Sequence, residues 1–504
     1  MEISPYVLKM SAFKAFTSIL FKVWKNMAVV QSWFVFITFF ILLVYGKRFK
    51  PTWESLDQHV APEWYDEAKI GIFMHWGVYS VPSFGVPSAG SEWLWQRWMQ
   101  NESHAVKFMR NNYPPDFRYP DFAPQWRAEF FNASEWADLI KESGARYYVI
   151  TSKHHEGFTL WKSNVSWNWN AVDIGPHRDL IGELAHAIRT RTNVHFGMYY
   201  SLFEWFHPLY LFDKSNNFTT QEYVKNVALP QMHDYVTRYK PEYIWSDGDA
   251  GPTDYWMAKE FLAWLYSDRC CLNNMVDLLT ADTEYVPATS AIPVRDNILV
   301  NDRWGPEATC KHGDVKNCAD RFTPHSKVNF KWEDAMTLDK ESWGYRRKAT
   351  ATEVYDIESL LALLARTVSA GGNLLMNVGP TPDGRIIPIF QERLKQLGSW
   401  MRINGDAIYS TKPWRVHNDT AAKKIMYTSN RGTVFAILLQ WPPNGIITLH
   451  EVVPTSSTAI FLHGYPSKLD WFGKSGKPGI QIDVNHIKQR PCLWAWSLRM
   501  YFVQ

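Results

Sequence analysis

Cysteine is scarce. Only five occur in 504 residues, with no Cys-x-x-Cys pair and so no zinc-ribbon ligand set. His-x-His and His-Glu-x-x-His are also missing, which removes the familiar sequence signatures of a catalytic metal. Charge of one sign is in short supply too. A net +3 with no lysine-rich or arginine-rich run leaves no electrostatic footprint for nucleic acid. Long apolar runs are confined to one place, Met27 to Gly46, densest from Trp33 to Tyr45 and followed by Lys47, Arg48 and Lys50. A span of about 20 apolar residues just crosses a bilayer, whereas a secretory signal needs an apolar core of only about 7 to 15. Lys9, Lys14, Lys22 and Lys25 supply the positive flank. Residues 1–46 read as a secretory signal started at Met1 or Met27. A retained signal anchor stays open, because no small-x-small cleavage site stands out, and it is the one route to a membrane.

What is abundant is aromatic. Rings make up 16% of the chain, with 26 Trp, and flat rings beside polar groups suit sugar faces, although most such rings serve as core anchors. The length exceeds what one hydrophobic core organises, so two domains are expected. Acceptor sequons at Asn101, Asn132, Asn164, Asn217 and Asn418 fit a glycosylated protein of the secretory route. Cys310 and Cys318 can close a small loop, while Cys270, Cys271 and Cys492 have no evident pairing.

From Trp53 to about Thr411, short apolar runs alternate with amphipathic stretches. The predicted strands are Ile70 to Met74, Tyr147 to Thr151, His195 to Tyr200, Tyr243 to Trp245, Ile298 to Val300 and Leu374 to Val378. Predicted helices are Trp136 to Ser143, Leu180 to Arg189, Thr220 to Tyr239 and Val354 to Thr367. This alternation reads as an α/β domain with a parallel sheet, of a size that fits an eightfold barrel. Each strand run ends in polar residues: His75-Trp76-Gly77, Lys153-His154-His155-Glu156-Gly157, Tyr199-Tyr200-Ser201, Ser246-Asp247-Gly248, Asn301-Asp302-Arg303-Trp304 and Asn377-Val378-Gly379-Pro380. In a parallel barrel these ends converge on one face. After Lys412 the chain becomes short β-rich runs separated by turns such as Asn430-Arg431-Gly432, the pattern of an antiparallel sandwich with no catalytic constellation of its own. The expected division is residues 47–411 for the barrel and 412–504 for the sandwich.

Phe73-Met74-His75-Trp76-Gly77, Ser91-Glu92-Trp93, Ser152-Lys153-His154-His155-Glu156-Gly157-Phe158, Trp167-Asn168-Trp169-Asn170, Gly175-Pro176-His177-Arg178-Asp179, Glu204-Trp205-Phe206, Trp245-Ser246-Asp247-Gly248 and Asn373-Leu374-Leu375-Met376-Asn377-Val378-Gly379-Pro380 together resemble the α-L-fucosidases of the animal lysosomal type. The resemblance implies a (β/α)8-like barrel, a C-terminal β-sandwich, and a retaining exo-glycosidase acting on fucosylated glycans of glycoproteins and glycolipids. It also implies a homo-oligomer of the lysosome or the extracellular space, with no cofactor and no metal. Asp247 matches the nucleophile, and His75, Glu92, Trp93, His154, His155, Tyr199 and Arg303 match positions around the fucose ring. Arg303 is expected to hold Asp247 ionised. Retention requires a second carboxyl about 5 to 5.5 Å from the nucleophile. Asp320 is the preferred acid/base, because it follows Arg303 in an irregular segment where relatives carry the acid, with Glu333 as the alternative.

Two stretches depart from the family pattern: Val86 to Gly90, placed in a loop at the aglycone entrance, and Cys270 to Pro293, placed on the barrel's far face. Two other readings compete with hydrolysis by carboxylates. One is a fucose-binding protein without a competent acid. The other is a metal-dependent hydrolase using His75, His154, His155 and Asp247, against which stands the expectation that adjacent strand histidines point to opposite faces.

Overall fold

The computed structural model describes residues 49–86, 90–267, 298–324 and 328–504. The N-terminal apolar segment, Cys270 to Pro293 and residues 87–89 lie outside the described residues. The chain divides into two units, Met1–Lys50 with Ala263–Arg295 and Pro51–Leu262 with Asp296–Gln504. In the first, the Phe49 ring meets Tyr266 edge-on at 5.5 Å and the Phe49 N–H donates to Ser267 Oγ. The second holds a barrel and a sandwich.

The barrel's strands are β1 (Ile70–Met74), β2 (Tyr147–Lys153), β3 (His195–Ser201), β4 (Tyr243–Asp247), β5 (Leu299–Val300), β6 (Glu333–Thr337) and β7 (Asn373–Val378). They run parallel in the order β5-β4-β3-β2-β1-β7-β6. Burial of nearly every residue explains why these runs read as continuous apolar stretches, since a parallel sheet is covered on both faces. Seven strands form the expected (β/α)8-like ring, and a three-residue bridge replaces the eighth. The amides of Asp314 and Val315 donate to Val300 O on β5; Lys316 N then donates to Lys331 O, and Glu333 N returns a bond to Lys316 O.

The sequence reading missed β6 because Glu333-Asp334 looks like surface. Both carboxylates are buried; Glu333 is satisfied by partners far along the chain, whereas Asp334 Oδ1 has no hydrogen-bond partner among the described residues. Asp334 Oδ2 accepts from Thr323 Oγ1 at 3.1 Å. Glu333 accepts from five side chains: the hydroxyls of Tyr65, Tyr147 and Tyr243, Trp245 Nε1 and Asn317 Nδ2, at 2.7–3.1 Å. Gly71 makes room for one of them, because a Cβ there would sit 2.4 Å from the Tyr147 ring.

Helices wrap the strands. Asn132 caps Ala133–Glu142, Asp179 caps Leu180–Arg191 and Asp356 caps Ile357–Ser369, each carboxylate or amide oxygen taking otherwise orphaned backbone N–H groups. The predicted helix over 220–239 is present from residue 222, with a π-helical segment, Val224–Ala228, leading into Leu229–Tyr239. Pro230 lies at that junction and has no N–H to give to a preceding carbonyl.

The sandwich packs a six-stranded antiparallel sheet against a three-stranded one. Val434, Ala436, Leu438, Leu498 and Met500 from the first meet Ile447, Leu449, Ile480 and Ile482 from the second. Its edge strand β8 (Lys412–Asn418), which sequence analysis did not predict, lies against the barrel helix Ile357–Ser369. Cys310 and Cys318 are disulfide-bonded, and Cys492 is free among the described residues.

Candidate active site

Asp247 is the last residue of β4, buried at the strand's C-terminal end. Its position is set from three sides. Asn301, just past β5, clamps the preceding residue: its Oδ1 accepts from Ser246 N and Oγ, and its Nδ2 donates to Ser246 O. Tyr199 OH donates to Asp247 Oδ2 at 2.8 Å. The following residue must be small, since a Cβ on Gly248 would come within 2.9 Å of Arg303 O and 2.6 Å of Leu202. The glycine after the carboxylate therefore lets the Arg303 loop close over it.

Arg303 is shared by three carboxylates. Its Nη1 donates to Asp320 and its Nη2 to Asp249, both at 2.6 Å, while Nε faces Asp247 Oδ1 at 3.5 Å, an ion-pair distance rather than a hydrogen bond. The guanidinium sits 5.2 Å from the Trp245 ring. These three anions hold Arg303 well above the usual arginine range despite its burial. Arg303 favours the ionised form of Asp247, as expected, but it does not set the net direction of the shift. Burial pushes its carboxyl up to about 6, outweighing the downward pull of Arg303, and Asp249 and Asp320 add to the rise. Asp249 is a neighbour that the sequence reading passed over, although it lies two residues beyond the nucleophile candidate.

Around Asp247 stand three histidines whose Nδ1 atoms are all engaged. His75 Nδ1 lies 2.7 Å from Asn377 Oδ1, and Asn377 spends its NH2 on Trp343 O, so His75 is the donor. His155 Nδ1 lies 2.7 Å from Ser201 Oγ, whose own proton goes to Phe203 O, so again the ring donates. His154 Nδ1 faces Glu156 Oε2 at 3.2 Å. Burial holds His75 and His155 well below the usual histidine range, hence neutral. Their Nε2 atoms are then lone-pair acceptors. His155 Nε2 is 3.6 Å from Asp247 Oδ2. His154 and His155 do not point to opposite faces as expected: β2 ends at Lys153, and past it the two rings lie 4.1 Å apart. Among the described residues no group of three or more His, Cys, Asp or Glu is set to hold a metal ion.

Glu92 is buried, its Oε2 accepting from Gly344 N at 2.8 Å and Ser342 Oγ at 3.1 Å. Trp93 lies edge-on to His155 and 5.1 Å from Trp205, and Trp343 lies 5.0 Å from His75. These indoles form apolar walls beside the acceptors. Trp343 and Trp205 were not among the predicted site residues, and no local pattern marks Trp343.

The two acid/base candidates separate. Asp320 follows the disulfide loop, is half exposed, and reaches the same guanidinium as Asp247. Buried Asp302 fixes that loop by accepting from the amides of Cys310, Asn317 and Cys318. Glu333 is a correction. It starts β6 at the barrel floor, beside the first residues of β2 and β4, whereas Asp247 ends β4 four residues on, about 13 Å at ~3.3 Å per residue. All its acceptor positions are taken, and it touches the site only through the Trp245 indole.

A family model described as Alpha-L-fucosidase matches residues 43–406, and one described as Alpha-L-fucosidase C-terminal domain matches residues 417–501. The chain is 51% identical over 457 residues to an alpha-L-fucosidase of Branchiostoma floridae, covering 90% of this chain and 96% of that one. It is 48% identical over 460 residues to the human plasma alpha-L-fucosidase, covering 90% and 92%. Among solved structures, Thermotoga maritima alpha-fucosidase in complex with fucose superposes with a TM-score of 0.74 at 31% identity, over 90% of this chain and 100% of that chain.

Proposed function

The chain belongs to the alpha-L-fucosidase family, and from that premise we propose that it hydrolyses terminal α-L-fucose from glycoproteins and glycolipids with retention of configuration. Asp247 attacks the anomeric carbon as the leaving oxygen departs, forming a glycosyl ester, and Asp320 first protonates that oxygen and then takes a proton from the incoming water. The observation that carries this reading is one guanidinium reaching both carboxylates: Arg303 faces the buried Asp247 and donates to the half-exposed Asp320. A buried nucleophile and a solvent-reached acid are the asymmetry that double displacement needs. The Nε2 atoms of His75 and His155 accept from sugar hydroxyls, Glu92 takes another, and Trp93, Trp205 or Trp343 covers the methyl group.

The secretory route is supported by the disulfide and by sequons at exposed Asn101, Asn132, Asn164 and Asn217 and half-buried Asn418, and relatives carry the names plasma and tissue. Asn132 caps its helix through Oδ1, and its Nδ2, where a glycan would attach, donates to Glu135 Oε1 at 2.9 Å on the exposed surface. The test is release of nitrophenol from p-nitrophenyl α-L-fucoside against the β-L-fucoside. Binding without release would favour a fucose-binding protein, and activity lost to EDTA and restored by zinc would favour a metal enzyme.

A further inference from the structure

The barrel's N-terminal face, opposite Asp247, gathers lysines from three separate segments onto one carboxylate. Lys69 follows the helix Glu63–Ala68 in a left-handed conformation (φ 61°) that turns its ammonium back to Asp66 Oδ1 at 2.7 Å. Lys331, two residues before β6, reaches the same oxygen at 2.7 Å and Gly371 O at 3.1 Å. Lys412, the first residue of the sandwich edge strand, donates to Asp66 Oδ2. Joining barrel to sandwich needs one such pair. Three share one carboxylate, and among the described residues Lys331 meets two protein acceptors with its three N–H groups and Lys412 one.

Asp66, Lys331 and Lys412, with Lys69 buried behind them, open into a cavity of about 1050 Å³ whose wall adds Trp414, Arg415, His417 and Arg431. Exposed Glu63 and Glu67 on the cavity's rim are the opposing charges; Tyr65 presents its ring to Lys331 from 5.7 Å. A cradle in which Lys331, Lys412, Arg415 and Arg431 outnumber Glu63, Asp66 and Glu67, larger than one ion and flanked by an indole, suits an oxyanion carried on a sugar ring. We propose that the groove between Lys331, Lys412 and Trp414 binds a sulfate or phosphate group, either as an ester on a glycan or as the free ion, apart from the catalytic centre.

The electrostatics support it. Burial, with Lys69 alongside, lowers Lys331 to about 7. A bound oxyanion favours the charged lysine, so binding takes up a proton and strengthens as pH falls through 7.

Sulfate stabilises most proteins by exclusion from their surface, so the readout is the difference between variants. The full-length protein is titrated calorimetrically with sodium sulfate, sodium phosphate, N-acetylglucosamine 6-sulfate and N-acetylglucosamine, at matched ionic strength and at pH 5.5 and 8. Expected is saturable binding of the oxyanions, tighter at pH 5.5, weakened about tenfold or more in Lys412→Ala and Lys331→Met with fucoside turnover unchanged. Tighter binding of the sulfated sugar than of free sulfate identifies an ester; equal binding identifies the free ion. No saturable binding at either pH, or equal binding by wild type and Lys412→Ala, overturns the proposal. Because fucosidase activity is measured in the same samples, failure here is separable from failure of the catalytic reading.

Discussion

Asp247→Asn should stabilise the protein while abolishing turnover. The carboxyl is pushed from its ordinary 3.8 to about 6, because burial opposes its charge more than Arg303 favours it. A rise of about 2 units, at 1.36 kcal/mol each, is about 3 kcal/mol of differential cost in keeping this group ionised within the fold. Asparagine has the shape of the protonated acid and can still accept from Tyr199, so it removes the cost without opening a cavity. The sign follows from linkage. With the folded pKa above the unfolded one, the folded protein binds the extra proton between pH 4 and 6, and the penalty is fully present above about 7 and gone below about 4. Urea denaturation of wild type and Asp247→Asn at pH 7.5, 6 and 4 should therefore give a gain of about 2 to 3 kcal/mol that shrinks to near zero at the acid end. A variant less stable at pH 7.5, or a difference that ignores pH, would refute the reasoning that burial dominates at this carboxylate.

Replacing Arg303 by methionine removes the cation that draws Asp247 down, so the acid limb of the kcat/KM profile, set where Asp247 ionises, should move to higher pH by about a unit or more; an unmoved limb contradicts the assignment. For Asp320→Ala, loss of general acid catalysis should cost about 10²- to 10⁴-fold in kcat with a poor leaving group and far less with dinitrophenol, measured with a series of aryl fucosides. Glu333→Leu strands three hydroxyls, an indole N–H and an amide, each worth about 1 to 3 kcal/mol when left unpaired. Its urea midpoint should collapse, whereas Glu333→Gln should fold and keep most of its activity, with any loss equal for good and poor leaving groups. Leaving-group dependence in Glu333→Gln would return it to the role of acid.

The barrel was legible because parallel strands are buried on both faces, so Ile70–Met74 or Tyr147–Lys153 announces itself as an unbroken apolar run with a polar end. Glu333–Thr337 failed the same test for a physical reason. The Glu333 carboxylate is accommodated by Tyr65, Tyr147, Tyr243 and Asn317, which lie elsewhere in the sequence and meet it only in three dimensions. Edge strand Lys412–Asn418 was invisible because only alternate residues are partly buried. Within the site, Asp247 and the histidines were found from strand-end position and family motifs together. Asp249, Asn301 and Trp343 were not assigned roles, since what marks them is a shared guanidinium, a clamp on Ser246 and a ring beside His75. The pull of Arg303 on Asp247 is readable from residue types, but the depth of burial that outweighs it is not.

The central claim is that Asp247 is the nucleophile of a retaining fucosidase. The most direct measurement is hydrolysis of an activated aryl α-L-fucoside by Asp247→Ala with and without sodium azide, with the product's anomeric configuration read by NMR. Almost no turnover is expected without azide, and with azide a recovered rate that yields β-L-fucosyl azide, formed on the face the carboxylate has vacated. Near-normal turnover by Asp247→Ala without azide would contradict it.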